Sequence, residues 1–205
     1  MRLPLDDELK PPGHKTYIVS FHFGFRFRRH FHLIPKSSTP DLIDIFDKVM
    51  ESRKRTIFVS MPFGKAVAED HYAIIERVAR EISAAHDLKA PLKVQRVDWF
   101  HDGTSYDINN KIIEMLTDCG LLIGNLTYCN PNVYHEIGFM MGRAKAEGQD
   151  FTNMLLFLDE SVADDKDKLV GFNLRGIKQI RFTAREVDFA PALRENIEKF
   201  FRLGT

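Results

Sequence analysis

From Arg55 to Phe201 the chain alternates short apolar segments with longer amphipathic ones, and this alternation restricts the fold more than any other feature. Between the apolar segments, hydrophobic residues recur three and four positions apart, which is the spacing of one face of an α-helix. The segments with the composition of strands are Thr56–Ser60, Leu92–Val97, Leu121–Leu126, Met154–Leu158 and Ile177–Phe182. Strands that alternate with helices predict an α/β protein with a doubly wound, parallel, five-stranded sheet.

Residues 1–54 follow a different pattern. No acidic residue occurs between Glu8 and Asp41, and within that stretch apolar side chains alternate with basic ones. Period two is typical of a β-strand with one apolar face, and the length of the run predicts a break or hairpin near Gly24. An amphipathic helix should follow, with an apolar stripe formed by Leu42, Ile45, Phe46 and Val49. We therefore expect a strand or hairpin plus helix extension before an α/β domain of residues 55–205.

The aromatic face of this N-terminal strand must be covered by something. The candidates are the helix that follows, the main sheet, a second copy of the chain, or another protein. The opposite face carries Arg26, Arg28 and His30, which suits a protein or nucleic-acid partner. His22, His30 and His32 share a face, but no carboxylate or cysteine accompanies them there, so no metal site is predicted.

Composition excludes several classes of protein. The chain has 29 Lys+Arg against 29 Asp+Glu, so no global field draws it to nucleic acid or to an acidic membrane. Its 2 cysteines are too few for a disulfide framework, which indicates a reducing compartment. No apolar run approaches the ~20 residues of a membrane span, and no export signal is recognisable. We expect a cytoplasmic protein with no membrane partner.

Ligands of an open parallel sheet bind beyond the carboxyl ends of its strands. Three loops of this chain are predicted to reach that edge: residues 61–64, 98–106 and 125–132. Phe63 and Gly64 are suited to close approach to a base or phosphate, and Trp99 or Tyr106 to stacking on the base, although each of these aromatic residues is equally compatible with the core. Asp98 is a candidate carboxylate of the site, second to Glu136, or, equally well, a cap at the end of a strand. The candidate binding residues are Met61, Pro62, Phe63, Gly64, Asp98, Trp99, Tyr106, Asn125, Thr127, Asn130 and Asn132.

The third loop leads into a helix that presents Glu136. Asn130 is suited to the N-cap and Pro131 to the first helical position. At ~100° per residue, Glu136 lies roughly 85° from the centre of the apolar stripe, at the border between core and cleft. By position alone, a glutamate near a helix start is more simply explained by the helix dipole. The stripe itself is Val133, Ile137, Met140, Met141 and Ala144.

Several segments, in the right order, resemble one superfamily. Residues 121–127, Leu-Leu-Ile-Gly-Asn-Leu-Thr, and 130–139, Asn-Pro-Asn-Val-Tyr-His-Glu-Ile-Gly-Phe, resemble the signature of the nucleoside 2-deoxyribosyltransferase-like and TIR-like N-glycosidases. Residues 57–64, Ile-Phe-Val-Ser-Met-Pro-Phe-Gly, resemble the first strand and loop of that superfamily, and residues 96–98 the end of its second strand. Residues 171–176, Gly-Phe-Asn-Leu-Arg-Gly, resemble the element before its last strand.

The resemblance covers about residues 55–201 and implies a flavodoxin-like fold that cleaves or exchanges a bond between sugar C1′ and a nitrogen base. It implies that Glu136 is the catalytic glutamate, and Asp98 would assist. NAD+ or a nucleoside or nucleotide would be the substrate, and no cofactor is implied. Two residues depart from the pattern, because Asn125 and Asn173 stand where relatives have aspartate.

Three functions stay open. The first is an N-glycosidase, and relatives that hydrolyse NAD+ often serve as regulated effectors in bacterial antiphage defence, which implies a homo-oligomer. The second is a metabolic nucleoside deoxyribosyltransferase. The third is a non-catalytic module that binds a nucleotide signal or a partner protein on the same fold.

Overall fold

The structure, a computed structural model, describes residues 16–19, 32–35, 54–97, 107–148, 153–162 and 170–203. The chain divides into two compact units, residues 1–51 and 52–205. In the first unit, strands β1 (Thr16–Val19) and β2 (His32–Pro35) pair antiparallel, with Val19 opposite His32. The predicted N-terminal strand region thus contains two paired strands. The predicted break or hairpin near Gly24, the predicted helix with the stripe of residues 42–49 and the side chains of the histidine cluster lie outside what the structure describes.

The second unit contains a five-stranded parallel sheet. Its strands are β3 (Thr56–Ser60), β4 (Lys93–Gln95), β5 (Leu121–Asn125), β6 (Met154–Asp159) and β7 (Gln179–Phe182). Their order is β4-β3-β5-β6-β7, and every neighbouring pair is parallel. This is the strand order of the flavodoxin-like fold, so the predicted fold class is confirmed.

Helices cover both faces of the sheet. They are α1 (Ala66–Ala85), α2 (Ile108–Asp118), α3 (Pro131–Ala146) and α4 (Ala190–Phe201). Short helical turns at Phe172–Leu174 and Arg185–Phe189 flank β7. Buried residues of α1 and α4 pack on one face, and those of α2 and α3 pack on the other. In the part of the chain that is described, no helix combines the length and apolarity needed to cross a bilayer.

Alternation along the strands decides which core each side chain joins. In β3, Ile57 and Val59 belong to the core under α1 and α4, and Phe58 belongs to the core under α2 and α3. We call these two sides the α1 face and the α3 face. The sequence predicts that the apolar stripe of α2 is Ile108, Ile112, Met115, Leu116 and Cys119, and this prediction is wrong at Ile108, which is 59% exposed. As the first residue of the helix it contributes nothing to the core, which the stripe reaches fully only at Met115.

Candidate active site at the carboxyl edge of the sheet

Strand order reverses between β3 and β5, because the chain leaves β3 for one edge of the sheet and β5 for the other. Open α/β sheets bind ligands at the carboxyl ends of strands at such a reversal. Ser60 ends β3 and Asn125 ends β5, so the loops of residues 61–64 and 126–130 begin at this point. The other predicted loop contains Asp98, Trp99 and Tyr106, which lie outside the described residues.

The start of α3 is built as the sequence predicts. The Asn130 side chain accepts a hydrogen bond from the backbone N–H of Asn132 at 2.9 Å, and Pro131 is the first helical residue. Gly124 of β5 lets the helix approach closely, because a Cβ at that position would lie 3.1 Å from Ile137 Cδ1. Asn130 therefore serves as the cap, and Asn132 is exposed at the rim of the site.

Glu136 lies at the border between core and solvent. It is half-buried, in the position that helical geometry predicts, and burial raises the pKa of its carboxyl group. The Ser60 hydroxyl and the His135 imidazole oppose this effect, but they do not cancel it. The predicted stripe beside Glu136 is buried except for half-buried Met141. A partly desolvated, reachable carboxylate at a strand-order reversal is the arrangement expected of a functional group.

Ser60 was not anticipated from the sequence. Its residue is 1% exposed, and its Oγ has no hydrogen-bond partner of full geometry among the described residues. The hydroxyl nevertheless lies near enough to the Glu136 carboxylate to favour the charged form. The signal was present in the strand alternation, which places Ser60 on the same face as Phe58 and therefore under α3.

The loop of residues 61–64 separates into a buried and an accessible half. Met61 is 5% exposed within the core, and Pro62 is buried as well. Phe63 is 49% exposed, and Gly64 has a φ of 68° with open space around it. Phe63 and Gly64 are therefore the two predicted binding residues of this loop that a ligand can reach.

Phe63 rests on a buried cation. The Arg96 guanidinium carbon lies 5.6 Å from the centre of the Phe63 ring and 5.0 Å from that of Tyr72. Arg96 also donates two hydrogen bonds to the Glu69 carboxylate, at 2.6 and 3.1 Å. The pairing of Arg96 and Glu69 fixes the cation beneath a half-exposed aromatic ring, and sequence reasoning missed it.

The segment of residues 171–176 packs on α3. The backbone N–H of Gly171 donates to Tyr134 Oη at 3.0 Å, and a Cβ on Gly171 would lie 3.1 Å from the Tyr134 ring. Burial raises the pKa of the Tyr134 hydroxyl. Asn173, one of the two departures from the family pattern, is exposed.

Asn125 and Thr127, predicted to bind substrate, are buried and occupied by other contacts. Asn125 is 0% exposed and Thr127 is 2% exposed. The Asn125 Oδ1 atom accepts from the Thr127 backbone N–H at 3.0 Å, and Thr127 Oγ1 accepts from the Asp159 backbone N–H at 3.0 Å. Alternation along β5 places Asn125 on the α1 face, whereas Glu136 lies on the α3 face. The sheet thus separates Asn125 from the candidate catalytic carboxylate.

Asn125 belongs instead to a buried network around His71 of α1. Because its oxygen is taken by Thr127, the Asn125 amide donates through Nδ2 to His71 Nδ1, at 3.2 Å. His71 Nε2 then donates to Asp159 Oδ2, at 2.9 Å. Burial lowers the pKa of His71, although Asp159 opposes this effect. The network therefore holds a neutral imidazole in one tautomer.

Replacing Asn125 with aspartate, the residue of the resembled family, should raise the pKa of His71. The new carboxylate keeps the Thr127 contact with one oxygen and accepts from a protonated His71 Nδ1 with the other, so the imidazolium lies between two carboxylates. Nitrogen NMR of the histidine rings reads the change directly. Asn132→Asp, the same change at an exposed position on α3, should leave His71 unaffected, and a neutral His71 in Asn125→Asp would contradict the assigned tautomer.

Comparisons with known proteins add little. No family model and no curated protein matches the chain. A solved structure described as a conserved protein from Enterococcus faecalis V583 matches with a TM-score of 0.39 and 14% identity, over 72% of this chain and 96% of that chain. A likeness at this level supports no argument about function.

Proposed function

We propose that the chain is an N-glycosidase that cleaves the bond between ribose and base in a nucleotide-type substrate, with Glu136 as its catalytic carboxylate. The observation that carries the proposal is the half-buried Glu136, with a raised pKa, beside the strand-order reversal of a flavodoxin-like sheet. The motifs of residues 57–64, 121–139 and 171–176, in the order of the resembled superfamily, support the assignment of Glu136 as the catalytic glutamate.

The chemistry follows from the charge of the carboxylate. When the C1′–N bond breaks, its electron pair leaves with the base and positive charge develops on the sugar ring. The Glu136 anion stabilises that charge, either through space or by bonding to C1′. Water then adds to C1′ and displaces Glu136 where it had bonded, and the proton that water loses passes to the departed base or to solvent. Burial raises the pKa of Glu136, and Ser60 and His135 limit the increase by favouring the anion.

The accessible rim suits a planar base and a sugar. Phe63 offers a half-exposed ring, and Gly64 allows close approach of the backbone. Asn132 adds an exposed polar side chain at the start of α3. Asp98, Trp99 and Tyr106 lie outside the described residues and stay sequence-based predictions within the proposal. The protein acts as a cytoplasmic homo-oligomer, which makes its activity dependent on concentration.

The test is base release by the purified chain over a range of protein concentrations. NAD+, nucleosides and nucleotides are supplied in parallel, and the released bases are separated by chromatography. The expected result is release of one base, rising more steeply than linearly with protein concentration. Release of nicotinamide would identify NAD+ as the substrate, and release of a nucleobase would identify a nucleoside or nucleotide. Absence of release from every substrate at every concentration would refute the proposal.

A further inference from the structure

Among the described residues, three buried side-chain atoms have no hydrogen-bond partner: Ser60 Oγ, Asn153 Oδ1 and Gln179 Oε1. The Ser60 hydroxyl differs from the other two in its position and burial. Asn153 and Gln179 lie at the starts of β6 and β7, at the amino edge of the sheet, and both are half-buried. Ser60 is 1% exposed and ends its strand at the carboxyl edge. An unpaired buried hydroxyl costs about 1–3 kcal/mol, so stability does not explain this serine.

Three features of the sheet bring Ser60 under the second turn of α3. Ser60 is paired in register with Gly124 of β5. Gly124 lies in close contact with Ile137 of α3, as a Cβ there would meet Ile137 Cδ1 at 3.1 Å. Glu136 directly precedes Ile137. Gly124, the neighbour of Ser60 in the sheet, therefore packs against the turn of α3 that contains Glu136.

We propose that Ser60 is a positioning residue for Glu136, donating its O–H to one carboxylate oxygen and leaving the other oxygen for the sugar. This inference rests on the proposed function. Ser60 Oγ is itself buried and out of reach of a ligand, so it acts through the glutamate. A carboxylate held at one oxygen loses rotational freedom before substrate binds, and such pre-organisation is realised in the transition state.

The charged groups around Glu136 agree with this role. Burial disfavours its anion, and the Ser60 hydroxyl and the exposed His135 imidazole both favour it. Of these two groups, the Ser60 hydroxyl has the larger effect. Ser60 is therefore the main group among the described residues that favours the anion of Glu136.

The experiment compares Ser60→Ala with Ser60→Thr in the full chain. Side-chain carboxyl NMR measures the titration of Glu136, and base release gives kcat and KM across pH. Ser60→Ala should still fold, because it removes one buried hydroxyl and keeps the Cβ of the strand residue. It should titrate Glu136 at higher pH and lose about 10- to 100-fold in kcat, the worth of a hydrogen bond to a charged group, with KM nearly unchanged. Ser60→Thr keeps the O–H and should restore both readouts.

The matched control removes a hydroxyl elsewhere. Thr117 Oγ1 donates to the Ile113 backbone oxygen at 2.7 Å on α2, and Thr117→Ala should leave the titration of Glu136 and kcat unchanged. Unchanged titration of Glu136 in Ser60→Ala overturns the inference, as does a Ser60→Thr variant that behaves like alanine. The titration needs no substrate. A shifted titration without base release by the wild type would therefore refute the proposed function while the Ser60 contact stands.

Discussion

Glu136→Gln is expected to reduce base release about a thousandfold or more in kcat and, at the same time, to make the folded chain more stable. The activity falls because the amide carries no charge to oppose the positive charge that develops at C1′. The amide has nearly the same shape, so the fold and the substrate contacts are retained. The measurement pairs base release with urea unfolding of the same preparations.

The gain in stability of Glu136→Gln over the wild type should increase as the pH rises. The pKa of Glu136 is raised in the folded chain, so the folded state binds more protons than the unfolded state between the ordinary pKa of 4.5 and the raised one. Wild-type stability therefore loses a contribution as pH rises through that interval, and glutamine removes the loss. We expect the variant to exceed the wild type by about 0.5–2 kcal/mol at neutral pH and by little at pH 4.

Glu114→Gln is the matched control, because Glu114 is exposed on α2 and its carboxylate accepts a hydrogen bond from Lys111, at 3.2 Å, on the same helix. It should leave base release unchanged. Two results contradict the prediction separately. Undiminished base release in Glu136→Gln removes the catalytic role, and a stability difference that does not grow with pH removes the argument from burial.

The sequence predicted the fold and the frame of the site because both depend on local patterns. Period-two strands and period-3.6 helices in alternation predict a doubly wound sheet, and Asn130 with Pro131 predicts where α3 begins. The same helical period places Glu136 at the border of the core. Each of these predictions needs only residues within one element.

The remaining features depend on which elements meet. Ser60 and Asn125 both end strands, but the alternation puts them on opposite faces, and only the positions of α1 and α3 give those faces their partners. His71 and Asp159 are 88 residues apart in the chain, and no motif connects them. Asn125 was therefore assigned to the cleft when it lies in the network behind the sheet.

Asp159→Asn is expected to lower the free energy of unfolding by about 3–5 kcal/mol. Asp159 is 0% exposed, and its carboxylate accepts hydrogen bonds from His71, from Arg185 at 3.2 Å, and from the backbone and hydroxyl of Ser161. Burial alone raises the pKa of Asp159, but these donors outweigh it and hold the pKa below the usual value. An amide offers one acceptor oxygen and turns its N–H groups toward donors, so several bonds are lost together.

The same network predicts that the chain loses stability in acid. The pKa of His71 is lowered in the folded state, so the unfolded chain binds the extra proton below pH about 6.5, and stability falls as the pH drops through that value by at most about 1.4 kcal/mol per pH unit. The lowered pKa of Asp159 adds a further loss below pH about 3.8. Urea unfolding followed by circular dichroism measures the His71 effect between pH 7 and pH 5, and the Asp159 effect between pH 5 and pH 3.

Glu160→Gln is the control for Asp159→Asn, because it also replaces a carboxylate with an amide, one residue further along the chain. Glu160 pairs with Arg181 at 3.4 Å on the surface, where an ion pair contributes about 0–1 kcal/mol. A loss in Asp159→Asn no larger than that in Glu160→Gln would show that His71 and Arg185 find other partners when the carboxylate is gone. A large loss confined to Asp159→Asn would show that the α1 face depends on this carboxylate, which His71 and Arg185 both contact.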